Sequence, residues 1–295
     1  MPTSVSQPEG KTDFITQFVS LHNTSHPGNH IGYRFFEHTP IVHGHVPQSG
    51  MQPQTAQADS LEKEFASLPG IVLRRFEVTD KAWVPQTWTF YIAPADDGFD
   101  MLWIVSTGDA GLNDYYAAQQ CFRMSGTTND EWRKNIAEAP AFSEFDLWAA
   151  QESQRKPRTT LSYVRRDNSW QPLPPIDQHV ACRTPLGTAM DSARSDGDLT
   201  KITALEPYGP TLFEPPVDSG LVTRTDLDGT WVCALYWENT THVTNHHPAD
   251  CLHSVVNLGP LPPNGKRALR GRIYWMEASK DELLSQWRKE FPQRV

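Results

Sequence analysis

The chain has 295 residues, a net charge of −9 and 38% apolar residues, among them ten Trp, thirteen Phe and eight Tyr. That aromatic content is enough to build a core and excludes a disordered chain, and the acidic balance excludes nucleic-acid binding through a general electrostatic footprint. No run of eighteen apolar residues occurs, so no membrane-spanning helix is expected, and 24 Pro with 18 Gly point to many turns instead of long helices.

Residues 1–58 read as an N-terminal arm and loops packing on a main domain, with one strand near residues 32–36. The first eleven residues are polar and lack the apolar stretch of a secretory leader, which fits a cytoplasmic protein. A short helix is predicted over residues 60–68, capped by Asp59 and stopped at Pro69-Gly70. Strands follow at 72–78, 88–92 and 99–105, the last two joined by the Asp96-Asp97-Gly98 turn. Residues 119–123 alternate as a strand, and Thr128 with Glu131 forms the capping box of a helix over 128–137. Residues 161–165 read as a strand that turns at Asp167-Asn168. The proline-rich stretches 171–175 and 206–216 read as loops over a sheet surface.

The C-terminal third is the most legible. Strands at 220–227 and 230–238 flank Asp228-Gly229, the strongest short hairpin signal. In the second strand Trp231, Cys233, Leu235 and Trp237 share one face, and Val232, Ala234, Tyr236 and Glu238 the other. A His-rich loop leads to strands at 253–258 and 271–277. A closing helix from about 280 to 291 has a Ser279/Glu282 capping box and a stripe of Leu283, Leu284, Trp287 and Phe291. With no βαβ alternation and no Gly-rich phosphate loop, the chain is expected to be mainly β. The architecture is a large sandwich (supersandwich) or barrel with a few short helices, and residues 59–295 form a single domain.

Three groups of residues offer chemistry. The segment 242–253 holds His242, His246, His247, His253, Asp250 and Cys251, ligand types that suit a divalent metal. No zincin, zinc-finger or facial-triad spacing is matched, so hydrogen-bonded histidines in a polar loop are the competing reading. His43 and His45 would share one face of an extended strand, a second candidate metal pair. The third group is an acid–base and aromatic set: Glu238, His242, Tyr236 and Arg123 as catalytic candidates, and Trp237, Trp148, Tyr116 and Trp275 as a substrate platform. Alternating aromatics in strands equally describe a core. The four cysteines, Cys121, Cys182, Cys233 and Cys251, form no CxxC and read as buried free thiols in a reducing compartment.

Four segments carry a resemblance: Cys251-Leu252-His253, the run from Asn257 to Gly265, Arg270-Gly-Arg-Ile-Tyr-Trp275, and Asp281-Glu-Leu-Leu284. Together they resemble the C-terminal part of uncharacterised bacterial proteins of carbohydrate-utilisation type. The Leu261-Pro-Pro-Asn-Gly-Lys266 segment is similar to the last hairpin of galactose-mutarotase-like β-sandwiches. The resemblance covers about a fifth of the chain and implies a sugar-related role without assigning a catalytic residue. The expectation is a lyase, epimerase or hydrolase acting on a sugar or related hydroxylated small molecule or oligosaccharide. A metal-dependent β-barrel oxygenase or isomerase, with a divalent cation as cofactor, and a non-catalytic carbohydrate-binding module are the alternatives.

Overall fold

Short runs of β-branched and aromatic residues that alternate with polar ones dictate strands with two unlike faces. The computed structural model describes residues 1–6, 17–26, 31–36, 41–43, 55–78, 85–112, 115–124, 161–176, 178–193, 211–246 and 250–292. Among them, two large sheets pack face to face. With strands numbered along the chain, the first sheet has the order β1 (Thr3–Ser6), β2 (Phe18–Asn23), β3 (Ile31–Arg34), β8 (Tyr115–Arg123), β16 (Cys251–Asn257), β15 (Thr240–His246), β11 (His179–Arg183) and β12 (Thr211–Glu214). In addition, β4 (Ile41–His43) pairs with β8. The second has the order β10 (Ser169–Pro172), β9 (Ser162–Arg166), β13 (Val222–Thr225), β14 (Trp231–Trp237), β17 (Lys266–Glu277), β7 (Gly98–Thr107), β6 (Gln86–Ala95) and β5 (Val72–Val78). Neither order closes on itself, so the chain is a β-sandwich and the barrel alternative is set aside.

The core between the sheets is dominated by aromatics: Trp88, Trp103, Trp237, Trp275, Phe90 and Phe122 are all fully buried in it. The expected alternation of β14 is observed. Cys233, Leu235 and Trp237 face this core, with Trp231 at its margin. Val232, Ala234 and Tyr236 face outward, under helix α3 (Lys280–Glu290), whose Leu283, Leu284 and Trp287 cover them. The Ser279/Glu282 capping box of α3 is formed. The hairpins at Asp96–Asp97, Asp167-Asn168 and Asp228-Gly229 are also formed. Asp167, Asn168 and Gly229 take positive φ there, as such turns demand.

Some elements differ from the sequence reading. Helix α1 (Thr55–Ala66) begins before residue 60, and Asp59 lies inside it. There Asp59 pairs with Lys266 at 2.7 Å instead of capping. Thr240–His246, read as part of a His-rich loop, form the strand β15: Asn239 at φ 58° turns the chain out of the second sheet and into the first. A helix α2 (Pro185–Ala193) packs beside β15, with Gly187 so close that an added Cβ would lie 2.2 Å from the Thr241 carbonyl oxygen. The helix expected over 128–137 lies outside the described residues.

Two contacts fix the Trp237 ring between the sheets. Gly271 lies directly opposite Trp237 on the neighbouring strand, and a Cβ on it would sit 2.5 Å from the indole ring. The Trp237 indole N–H donates to Tyr33 Oη at 3.1 Å, and Tyr33 donates in turn to Gln120 Oε1. Gly271→Ala should therefore lower stability by about 1–3 kcal/mol through overpacking, read by urea denaturation.

At one end of the sandwich, His26 stacks on Trp231 with ring centroids 4.3 Å apart and accepts the Trp275 indole N–H at 2.9 Å through Nδ1. An indole only donates, so this bond needs an unprotonated Nδ1. Burial lowers the His26 pKa, and the neighbouring Asp226 only partly opposes it. The stabilisation is therefore complete above the unfolded value of about 6.5 and is lost as pH falls through the lower folded value. The stability difference between the protein and its His26→Phe variant, which keeps the stack but has no titrating acceptor, should shrink between about pH 7 and pH 5. A difference that stays constant over that range would show that His26 does not titrate with folding.

Candidate functional site: a thiol–imidazole cluster on the outer face of the first sheet

Strand pairing selects which side chains meet. On β8 and β16, Cys121 lies opposite His253 and Cys251 opposite Arg123. On β16 and β15, His253 lies opposite Thr244 and Cys251 opposite His246. On β15 and β11, His246 lies opposite His179 and His242 opposite Arg183. Directly opposed residues share a face, so all of these side chains emerge on one side of the sheet. The intervening residues Phe122, Leu252, Val243 and Val180 point into the aromatic core. The cluster therefore occupies the side of the first sheet turned away from the second. Its members Cys121, Cys251, His253, His179 and His242 are nonetheless fully buried.

The centre of the cluster is compact. Cys121 donates an S–H hydrogen bond to Cys251 Sγ at 3.3 Å. One ligand atom each from Cys121, Cys251 and His253 lies within 4.8 Å of the other two. Thr244 Oγ1 lies 2.9 Å from His253 Nδ1 and orients the ring. Next to it the His179 and His246 rings stack with centroids 3.9 Å apart, and His179 lies parallel to His253 at 5.7 Å. Burial alone would push the Cys251 thiol up. The Cys121 hydrogen bond, the Arg123 charge and the contact with His253 outweigh burial and hold it well below the ordinary thiol value.

The four thiols thus divide in two. Cys182 and Cys233 face the core, where burial pushes Cys182 up to about 12 and Cys233 well above its ordinary value. They are inert packing groups. Cys121 and Cys251 form a dithiol beside an imidazole. None of the four is in a disulfide and all are buried, as the sequence reading expected.

A disulfide between Cys121 and Cys251 does not suit the register. The two are diagonal, not opposite, and diagonal neighbours are roughly 7–8 Å apart, beyond the usual disulfide span. Two thiolates bound about 2.3 Å from one tetrahedral zinc sit about 3.8 Å from each other, close to the 3.3 Å found here.

Behind the cluster, on the core face, lies a buried polar junction. Arg224 of β13 donates from Nε to Ser162 Oγ at 2.9 Å, from Nη2 to Asn245 Oδ1 at 3.0 Å, and pairs with Asp250 at 3.4 Å. Removing one partner of a buried pair leaves an uncompensated charge. Asp250→Ala should therefore cost about 3–5 kcal/mol in chemical denaturation.

The residues singled out from sequence are distributed unevenly. His253, His246, His242 and Arg123 share the cluster face. His242 sits at a bulge, with Nδ1 3.1 Å from Thr241 Oγ1. Trp237 and Trp275 are in the inter-sheet core and Tyr236 is beneath α3, so none of them offers a surface platform. Glu238 lies on the far side of β14 from the cluster, where its carboxylate accepts the Arg270 backbone N–H at 2.9 Å. His43 ends β4, opposite Tyr115, and Tyr116 lies within β8. His45, Trp148 and His247 lie outside the described residues. Cys251 belongs to the 242–253 segment singled out from sequence, whereas Cys121 and His179 carry no such signal. Cys121 is 130 residues from Cys251 along the chain, and only the β8–β16 pairing joins them. His179 had no neighbouring signal at all.

No protein-family model matches the chain, and no curated protein matches its sequence. The crystal structure of the Slr1438 protein from Synechocystis sp. PCC 6803 is similar at 8% identity and a TM-score of 0.40, over 92% of this chain and 98% of that one.

Proposed function

We propose that the chain is a metal-dependent protein that binds one thiophilic divalent cation, best suited to zinc, through Cys121, Cys251 and His253. The carrying observation is that two thiol sulfurs and an imidazole nitrogen from two adjacent strands come within 4.8 Å of one another. Thiolate and imidazole together favour zinc over magnesium or calcium. Thr244 fits the role of the partner that orients a ligating histidine: it engages Nδ1 and assigns Nε2 to the metal. The Cys121 hydrogen bond, the Arg123 charge and the His253 contact lower the Cys251 thiol, in the direction a metal-binding sulfur needs.

Three protein ligands match a centre with one position left for a substrate oxygen, where a bound zinc supplies Lewis acidity. A hydroxylated small molecule, the class implied by the C-terminal resemblance, presents such an oxygen. His246 and His179 adjoin the ligands on the same face and are the groups positioned to exchange a proton with it. Arg123, opposite Cys251, places a positive charge beside the sulfur.

Elemental analysis of protein purified without a histidine tag tests this. About one zinc per chain is expected after incubation with the ion and dialysis, and Cys251→Ser or His253→Ala should abolish stoichiometric loading. Chelation should lower the melting temperature of the parent protein and leave that of Cys251→Ser unchanged. A folded parent protein that retains no metal and melts identically with and without chelator would overturn the proposal.

A further inference from the structure

We infer that Arg224, a residue of the second sheet that touches none of the ligands, is the positioning residue for this centre. The inference rests on the metal reading above. Arg224 is completely buried and projects from β13 across the core to the first sheet. Its guanidinium reaches two points there. Asp250 immediately precedes Cys251, and its backbone carbonyl also accepts the Met124 N–H at 3.0 Å, anchoring the start of β16 to β8. Asn245 lies between Thr244, which orients His253, and His246, which faces Cys251. One planar group thus ties the start of β16, which presents Cys251 and His253, to β15, whose Thr244 orients the His253 ring.

Stability alone does not account for such a junction. Buried charge pairs return little net stability against apolar residues of similar volume. What an arginine fork supplies, and an apolar packing does not, is a fixed direction to two acceptors at once. Asp250 takes a left-handed backbone conformation, φ 53°, immediately before β16 begins. The arginine holds that corner and so sets where Cys251 starts relative to Cys121. Lysine at this position would keep the charge and lose the fork.

The test uses the full-length protein and the variants Arg224→Lys, Arg224→Gln and Asn245→Val. Three readouts are taken: zinc affinity by chelator competition, the visible spectrum of the cobalt-substituted protein, and thermal unfolding of the metal-free form. Arg224→Gln and Asn245→Val should weaken zinc binding by about 10–100-fold and shift the cobalt bands, with Arg224→Lys intermediate. A purely structural role would lower the melting temperature while leaving the affinity and the cobalt spectrum of the folded fraction unchanged, and that result would overturn the inference. If the Arg224 variants do not fold, Asn245→Val, which keeps the Arg224–Asp250 pair, decides by the same two metal readouts. A parent protein that takes up neither zinc nor cobalt would instead remove the metal reading itself, so the two failures are distinct.

Discussion

The register between β8 and β16 is the constraint on which the site depends. It sets Cys121 opposite His253 and Cys251 opposite Arg123, while Phe122 and Leu252 face the opposite way into the aromatic core. Side chains alternate with a period of two, so a slip of either strand by one residue would turn its own ligands inward and its own apolar residue, Phe122 on β8 or Leu252 on β16, outward. The cost of exposing Phe122 and Leu252 therefore holds the thiols and imidazole in place. Core packing and site assembly are two faces of one alternation.

The same logic divides the thiols by chemistry. Cys182 and Cys233 are on core faces, where nothing offsets desolvation enough to allow a thiolate. Cys121 and Cys251 are as deeply buried, but in the company of an imidazole and a guanidinium. Burial depth alone does not decide reactivity; the neighbours brought by strand pairing do. The second sheet adds its own control through Arg224, which reaches across the core to the residues flanking the ligand set.

Much of the fold was legible locally. The Asp228-Gly229 hairpin, the two faces of β14 and the capped C-terminal helix all depend on signals within a few residues of one another. β15 was not, because Thr240–His246 carries polar residues on both faces: His242, Thr244 and His246 toward the cluster, and Asn245 toward Arg224. A strand that serves a polar site on one side and a buried charge on the other looks like a loop. The density of histidines at 242–253 pointed to the right strands, but the cysteines that complete the set depend on a pairing across 130 residues. The aromatic residues misled in the opposite direction. Trp237, Trp275 and Tyr236 stand close in sequence to the candidate carboxylate Glu238 or on the adjacent strand, and their bulk is spent on the core and on the seat of α3.

The most direct measurement is anomalous diffraction at the zinc absorption edge from crystals of the zinc-loaded, untagged protein. The account predicts a single strong peak about 2.3 Å from Cys121 Sγ and Cys251 Sγ and about 2.0 Å from His253 Nε2. A zinc peak elsewhere on the chain, or continuous density joining the two sulfurs as a disulfide with no peak between them, would contradict it.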